Sequence, residues 1–353
     1  MKIALTLFLA LVTTQWHAIP VPTTASFRGL SAVDENIVWA SGTGGAVIRT
    51  TDGGKTWSLP PVPGAEALDF RGIHAFDGKT AIIMSSGPAE KGQARVYRTT
   101  DAGQHWVLVL EEKIPGAFFD AIAFWDANHG ILMGDPVDGH FMLFTTDDGG
   151  ATWQRVPPEK LPPALPGEGA FAASNSCLAV QGADYTWFAT GGASTARIFR
   201  STDRGKTWAV ANTPAQPHNA STGIFSIAFR DEKNGVAVGG DYQHPDDSFP
   251  NPLVTSDGGK TWNEPATISV IKEAGHYFSS VVFAPNDKGF QNNIVAAGPS
   301  GVYALQDGNR WLSQGDMNVN VIASPNAKTG WAAGPKGTIA RWNFEGAGGV
   351  YRH

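Results

Sequence analysis

The sequence has little cysteine and little charge. Its 353 residues include one cysteine, Cys177, which excludes an intramolecular disulfide and any zinc site built on several cysteines, so we expect a buried apolar residue. Charged residues make up 16 %, where about 25 % is typical, and 26 Lys and Arg against 32 Asp and Glu leave a net charge of -6. Without a basic surface to attract phosphates, we expect no nucleic-acid partner.

Glycine and tryptophan, by contrast, are abundant. The chain has 42 glycines and 12 tryptophans, and glycine usually accounts for only about 7 % of residues. This composition favours many short strands joined by tight turns over a helical bundle, a coiled coil or a disordered chain. The length allows either two average domains or one large closed all-β domain.

The N-terminus has the composition of an export signal. Met1 and Lys2 precede a hydrophobic run at residues 3–12, and a more polar stretch follows. A run of about 10 residues is too short to cross a bilayer, and no later stretch of the sequence is long enough either. We therefore expect residues 1–18 to be a signal cleaved after Ala18, and residues 19–353 to be a periplasmic or secreted protein without a membrane span.

An eight-residue motif recurs along the chain. Five copies are clear, T-T-D-G-G-K-T-W, T-T-D-A-G-Q-H-W, T-D-D-G-G-A-T-W, S-T-D-R-G-K-T-W and T-S-D-G-G-K-T-W, with aspartates at Asp52, Asp101, Asp148, Asp203 and Asp257. A degenerate sixth copy contains Asp307. Such an aspartate accepts hydrogen bonds from backbone N–H groups of the turn, glycine provides the positive φ, and tryptophan covers the turn. We therefore predict that these carboxylates are structural and not catalytic.

Each motif follows the same series of apolar segments. An opening segment, such as F-R-G-L at Phe27 or A-F-A-A-S at Ala170, precedes a strand that ends in Gly or Ser and a third strand that leads into the motif. A fourth strand follows the tryptophan. Seven such units predict an all-β fold, a single seven-bladed β-propeller of four-stranded antiparallel blades with a hairpin at each motif. To close the ring, we expect residues 19–26 to add a strand to the last blade.

The chain resembles a known family in its motif spacing, its seven units and several further stretches. These stretches are F-F-D-A-I-A-F-W-D at Phe118, G-D-P-V-D-G at Gly134, G-E-G-A-F-A-A-S at Gly167, F-R-S-T-D-R-G-K-T-W at Phe199 and V-G-G-D-Y at Val238. Together they make the chain similar to the photosystem II stability/assembly factor family, whose bacterial relatives are propellers with sialidase-type repeats. The resemblance implies a non-catalytic assembly factor that holds a membrane-protein subunit through an arginine-rich face. Arg28 and Arg71 occupy equivalent places in units one and two, where units three and five have Asp120 and Ser226.

Polar residues near the start of each inner strand, or on the loop after the second strand, are expected to converge on one mouth of the axial channel. We expect there a paired structural network or a binding site, formed by Arg28, Arg71, Asp120, Asp135, Glu168, Asp241 and Tyr277. The leading hypothesis is an exported, monomeric, non-catalytic scaffold or assembly factor that binds a partner protein or peptide at this mouth. The alternative is a carbohydrate-active, glycoside hydrolase-like propeller with Asp120 and Glu168 as its acid/base pair.

Cofactor and metal chemistry lack the residues that they need. G-T-G-G-A at Gly42 is expected to be a β-turn, because a phosphate-binding loop requires a helix N-terminus behind it. His244, Asp246 and Asp247 form a polar insertion near Asp241, which we expect to be a solvated loop. We therefore predict no cofactor and no metal.

Overall fold

Seven antiparallel sheets surround a central axis in a computed structural model of the chain, which describes residues 16–265, 277–284, 293–306, 310–326 and 329–343. Blade 7 takes its outermost strand from the N-terminus, β1 (Trp16–Ala18). Blades 1 to 4 contain, in chain order, β2 (Phe27–Ala32), β3 (Val38–Gly42), β4 (Val47–Thr50), β5 (Phe70–Ala75), β6 (Ala81–Ser85), β7 (Arg95–Thr99), β8 (Val107–Glu111), β9 (Phe119–Phe124), β10 (Gly130–Val137), β11 (His140–Thr146), β12 (Gln154–Arg155), β13 (Leu178–Gln181), β14 (Tyr185–Ala189), β15 (Arg197–Ser201) and β16 (Ala209–Asn212). Blades 5 to 7 contain β17 (Thr222–Phe229), β18 (Gly235–Asp241), β19 (Leu253–Thr255), β20 (Ser280–Ala284), β21 (Asn293–Gly298), β22 (Gly301–Gln306), β23 (Arg310–Gly315), β24 (Val321–Asn326), β25 (Thr329–Ala333) and β26 (Ile339–Asn343).

Helix in the described residues is limited to two short 3₁₀ segments, at Ala89–Lys91 and Pro158–Lys160. Across those same ranges, no helix has the length and apolar character needed to cross a membrane.

The first strand of each blade lies next to the axis. β2 contacts β5, β5 contacts β9, and the series continues through β13, β17, β20 and β24, which contacts β2 again. Neighbouring sheets pack face to face, so second strands such as β3 and β6 are buried along their whole length and appear in the sequence as continuous apolar runs. Between blades 1 and 2, for example, Trp39 and Val47 pack with Ile73 and Ile83. The predicted seven-bladed all-β fold is confirmed.

Blades 1 and 5 have a shortened outermost strand. In blade 1, Ser58 pairs with Arg49, and their N–H groups donate to each other's carbonyls at 2.8 and 3.0 Å. In blade 5, Asn263 pairs with Val254 in the same way. The fourth-strand position is therefore occupied in every blade, but by one residue in these two.

The ring closes through the N-terminus, as predicted, but three residues earlier than predicted. Strand β1 pairs antiparallel with β26 and places Trp16 opposite Trp342, with the two indoles edge to face at 5.6 Å. The strand predicted for residues 19–26 does not form, because Pro20 and Pro22 have no N–H group to donate to a neighbouring strand.

The propeller therefore begins before Ala18, the predicted cleavage point. Most of the predicted export signal, residues 1–15, lies outside the described residues and stays a prediction. A cut after Ala18 would remove β1 from blade 7, so the sequence-based boundary between signal and propeller conflicts with the fold.

The eight-residue motifs form turns between the third and fourth strands. In the first copy, Thr56 N and Oγ1 donate to the two oxygens of Asp52 at 2.9 and 2.6 Å, and Thr50 Oγ1 donates at 2.8 Å. These bonds lower the pKa of Asp52 to about 2. Gly54 has a φ of 86°, and a Cβ there would lie 3.0 Å from the ring of Trp331 in the preceding blade. Equivalent hydrogen bonds recur at Asp101, Asp148, Asp203 and Asp257.

Asp307, in the degenerate copy, lies outside the described residues. The five other aspartates bond to their own turns, so the geometry gives them a structural part and no shared site. Cys177, the single cysteine of the chain, is fully buried, as predicted from the sequence.

Candidate functional site

A β-bulge redirects one side chain near the start of four inner strands. In β2, β5, β9 and β17 the pairing register shifts, so that one residue has no partner on the neighbouring strand. Bulges re-aim side chains in this way at the rims of closed sheets. The four bulged residues are Arg28, Arg71, Asp120 and Phe225, and all of them line one cavity.

This cavity, which we call the mouth cavity, lies at the end of the ring where these four strands begin. Its volume is about 620 Å³, within the range of sites for small ligands or peptide segments. Blade 4 contributes Gly191, blade 6 contributes Tyr277 and Pro299, and blade 7 contributes Asn320. Because all seven blades supply lining residues, the cavity is on the axis of the propeller.

Blade 5 differs from the sequence-based expectation by one residue. The position equivalent to Arg28 is occupied by Phe225 and not by Ser226. Ser226 lies between blades, where its Oγ accepts a hydrogen bond from Val281 N at 2.9 Å. Because successive side chains of a strand point to opposite faces, an error of one residue exchanges a cavity residue for a packing residue.

Residues 170–176 lie across the axis beneath the cavity, and we call them the plug segment. The sequence predicted an inner strand at A-F-A-A-S here, but the inner strand of blade 4 is β13, which begins two residues after the segment ends. Asn175 Oδ1 accepts a hydrogen bond from Ile122 N of blade 3 at 2.8 Å, and Ser174 Oγ donates to Ser279 O of blade 6 at 2.5 Å. The plug segment has small or hydrogen-bonding side chains, such as Ala172, Ser174 and Asn175, which fit between the blades. Residues of these types have low strand propensity.

Two arginines form the basic side of the mouth cavity. Arg71 Nε donates to Asp69 at 2.7 Å, and its guanidinium also donates to Ala172 O of the plug segment at 3.4 Å. Arg28 Nε is buried and, among the described residues, has no hydrogen-bond partner. Burial, and next the neighbouring Arg71 cation, lower the pKa of Arg28. An anion bound beside Arg28 would offset both unfavourable effects.

Two carboxyl groups of blade 3 form the acidic side. Asp120 is 1 % exposed, and neither of its oxygens has a hydrogen-bond partner in the part of the chain that the structure describes. Asp135 follows it at the end of the next strand and accepts a hydrogen bond from Ala170 N at 2.9 Å. Burial raises the pKa of both groups, to about 6 for Asp135 and well above the usual value for Asp120, which also faces the charge of Asp135. Buried carboxyls with raised pKa in one cavity are typical of functional sites.

Aromatic rings form the remaining wall. Phe171 of the plug segment stacks on Phe225 with 3.9 Å between ring centroids, and Tyr277 packs edge-on against Phe225 at 4.9 Å. Tyr242 lies at the rim of the cavity and is 51 % exposed, which is high for a large aromatic residue. The wall therefore offers a flat apolar surface next to charged groups.

Glu168 does not line the mouth cavity. Its buried side chain forms an ion pair with Arg197, whose Nε lies 2.8 Å from Oε1. Thr190 Oγ1 and Leu165 N also donate to its carboxylate, at 2.6 and 2.8 Å. The structure thus engages Glu168 fully in blade 4, and it does not bring Glu168 and Asp120 together as the acid/base pair of the enzyme hypothesis.

Asp241 is likewise held by its own neighbours. Ser221 Oγ and Asn219 Nδ2 donate to its two oxygens at 2.6 and 2.9 Å. Burial alone would raise the pKa of Asp241, but these hydrogen bonds outweigh it and hold the pKa below its usual value. His244 and Asp247 bring ligand-type atoms within 4.8 Å of this carboxylate. Both are exposed, and Asp241 already accepts hydrogen bonds from Ser221 and Asn219.

Comparison with known proteins places the chain beside one family. The profile of photosynthesis system II assembly factor YCF48 matches residues 9–121. The photosystem II assembly lipoprotein Ycf48 of Picosynechococcus sp. is 26 % identical over 322 residues, covering 78 % of this chain and 84 % of that protein. The photosystem II assembly protein Ycf48 of Thermosynechococcus vestitus is 24 % identical over 322 residues, covering 78 % and 81 %. The predicted resemblance to the photosystem II assembly factor family is confirmed.

Solved structures share the fold of this chain. YCF48 bound to D1 peptide has a TM-score of 0.63 at 19 % identity, covering 95 % of this chain and 98 % of that chain. The GH74 xyloglucanase of Xanthomonas campestris has a TM-score of 0.65 at 14 % identity, covering 94 % of this chain but 54 % of that one. At these identities the likeness concerns the propeller fold alone.

Within this propeller, the residue type at the bulged position changes from blade to blade. Blades 1 and 2 present Arg28 and Arg71, blade 3 presents Asp120, and blade 5 presents Phe225. Sequence reasoning found the first three because F-R-G, F-R-G and F-D-A recur at one place in the repeat. It found Tyr277 of the aromatic wall but missed Phe171, Phe225 and Tyr242.

Proposed function

We propose that this protein is an exported, non-catalytic assembly factor that binds an extended segment of a partner protein in the mouth cavity. The observation that carries the proposal is the convergence of four bulged residues on one cavity on the propeller axis. A propeller that used its bulges only for packing would not leave Arg28 Nε and both carboxyl oxygens of Asp120 buried without hydrogen-bond partners in its described residues.

The plug segment supports a binding site with one open side. It crosses the axis and contacts the blades on both sides, so a ligand must enter and leave through the same mouth. An extended peptide segment suits this shape because it can lie across the opening and insert one or two side chains. The aromatic wall and the paired charges would then contact those side chains.

The relatives support a peptide partner and an exported location. One solved neighbour is described as bound to a D1 peptide, and two curated relatives are described as photosystem II assembly proteins. The relative from Picosynechococcus is a lipoprotein, whereas the single cysteine of this chain is the buried Cys177, which is not placed to accept a lipid. We therefore propose a periplasmic or secreted protein that is held to its partner by protein contacts.

Photocrosslinking tests the proposal directly. Benzoylphenylalanine is placed at Tyr242, on the rim of the cavity, and in a matched control at Val107, which is 62 % exposed on the outer strand of blade 2. The two variants are expressed in the native host and irradiated. We expect an adduct with a distinct envelope protein from the Tyr242 position that is absent from the Val107 position and lost in an Arg71→Ala background. Equal adducts from both positions, or none, would contradict the proposal.

One observation favours the carbohydrate-active alternative: two carboxyl groups with raised pKa, Asp120 and Asp135, line one cavity. Glu168, which the sequence predicted as the partner of Asp120, is bound by Arg197 instead. A glycan panel decides between the two functions: turnover abolished by Asp120→Asn but retained in Glu168→Gln would favour an enzyme, and no turnover would favour the scaffold.

A further inference from the structure

The mouth cavity has a buried hydrogen-bond donor on one side and buried carboxyl oxygens on the other. Arg28, in blade 1, offers a buried Nε–H group without an acceptor among the described residues. Asp120, in blade 3, offers two buried carboxyl oxygens that lack hydrogen-bond partners in those same residues. Blade 2 separates them, and there Arg71 is already paired with Asp69. The two ends therefore do not neutralise each other.

A ligand that satisfied only one end would leave the other buried and unpaired. An acidic group suits Arg28, because it accepts a charge-assisted hydrogen bond from the guanidinium. It does not suit Asp120, beside which Asp135 already places a second carboxyl group. A basic or amide group suits Asp120 and would be repelled at Arg28. A purely acidic or purely basic segment is therefore a poor match for the whole cavity.

The aromatic wall adds a third requirement. Phe171 and Phe225 present stacked rings to the same cavity, and Tyr277 packs edge-on against Phe225. An apolar side chain placed between the two charged groups would contact this wall. In an extended segment, side chains two residues apart point to the same side and are about 7 Å apart, and the side chain between them points to the opposite side. A three-residue segment can therefore direct its two charged groups toward Arg28 and Asp120 and its apolar side chain toward Phe225 of blade 5.

We infer that the mouth cavity selects a bipolar segment, with an acidic group bound at Arg28, a basic group bound at Asp120 and an apolar side chain on the Phe171–Phe225 wall. This inference rests on the proposed function, because it specifies the chemistry of the segment that the cavity binds. It separates this chain from a propeller whose binding face is arginine-rich throughout, since the bulge of blade 3 carries a carboxyl group.

The test uses five short probe peptides with acetylated and amidated ends. Two are bipolar, Glu-Phe-Lys and Lys-Phe-Glu, and the others are acidic Glu-Phe-Glu, basic Lys-Phe-Lys and neutral Gln-Phe-Gln. Binding to the full chain is measured by titration calorimetry at low salt. We expect one of the two bipolar peptides to bind about tenfold more tightly than the other four, because only one order matches the direction from Arg28 to Asp120.

Substitutions at the two ends assign the contacts. Asp120→Asn should remove the preference for the bipolar peptide over Glu-Phe-Glu, and Arg28→Gln should remove its preference over Lys-Phe-Lys. The matched controls are Asp138→Asn and Arg155→Gln, which change exposed groups outside the cavity and should leave the ranking unchanged. Thermal unfolding of each variant confirms that it is folded.

The outcomes separate this inference from the proposed function. If Glu-Phe-Glu or Lys-Phe-Lys binds the wild-type chain as tightly as the best bipolar peptide, the inference is overturned and a binding site at the mouth survives. If no peptide binds, the inference is overturned as well, and the photocrosslinking experiment still decides the proposed function on its own. The ranking for the wild-type chain is decisive even if a variant does not fold.

Discussion

Asp135→Asn is expected to stabilise the protein at pH 8 and to change its stability little at pH 4. In the folded chain, burial raises the pKa of the Asp135 carboxyl to about 6, although Ala170 N donates a hydrogen bond to it. In the unfolded chain the pKa returns to its usual value. The folded state therefore holds a proton that the unfolded state releases between pH 4 and pH 6, and stability falls as pH rises through that range.

The magnitude follows from the two pKa values. Moving from the usual 3.8 to about 6 corresponds to about 3 kcal/mol of folding free energy once the carboxylate is ionised. Water at the cavity mouth screens part of this cost, so we expect Asp135→Asn to gain about 1 to 3 kcal/mol at pH 8. The amide oxygen can still accept the hydrogen bond from Ala170 N, so little is lost at pH 4.

Urea denaturation of both proteins at pH 4, 5, 6, 7 and 8 measures this difference. Asp138→Asn, an exposed carboxyl outside the cavity, controls for the general effect of removing one negative charge. A gain that is already full at pH 4, or that Asp138→Asn matches at every pH, would refute the assignment of a raised pKa to the Asp135 carboxyl.

Two further predictions concern the fold that holds the cavity. Deleting Trp16–Ala18 removes three paired residues and the contact of Trp16 with Trp342, and should lower the free energy of unfolding by about 3 kcal/mol. Melting followed by circular dichroism checks this, and an unchanged melting temperature would refute closure of the ring by β1. Arg197→Met should lower the free energy of unfolding, measured by urea denaturation, by about 3 to 5 kcal/mol, because it leaves the buried Glu168 carboxylate without its cation. Adding Glu168→Leu should recover most of this stability, and a double variant no more stable than Arg197→Met would contradict this account.

The propeller could be predicted from sequence because its determinants are local and repeated. Asp52, Thr50 and Thr56, which form the hydrogen bonds of the turn, all lie within one eight-residue motif, so each copy of the motif predicts its own hairpin. The bulged positions of Arg28 and Arg71 follow the same logic, since each occupies one fixed place in a repeated F-R-G sequence. A pattern that recurs in every blade fixes where its residues lie relative to the axis.

Whether the other candidate residues line the cavity depends on residues far away in the chain. Glu168 was predicted to lie at the channel mouth together with Asp135, yet Arg197, 29 residues later, binds it. The plug segment was mistaken for a strand because its apolar residues suggest one, while its hydrogen bonds to blades 3 and 6 cannot be seen in the sequence. Of the seven candidates, the cavity brings together Arg28, Arg71, Asp120, Asp135 and Tyr277.

The contrast between Asp120 and Glu168 shows what separates a binding group from a structural one in this ring. Both are buried carboxyl groups near the axis, and burial alone would make each unfavourable. For Glu168 the chain itself supplies the compensating donors, from Arg197 and Thr190. For Asp120 the described residues supply no hydrogen-bond donor, and the nearby Arg71 is already paired with Asp69. Burial therefore raises the pKa of Asp120, and a basic or amide group that enters the cavity would compensate it. The substitutions at Asp120 and Arg28 are the ones that should change binding more than stability.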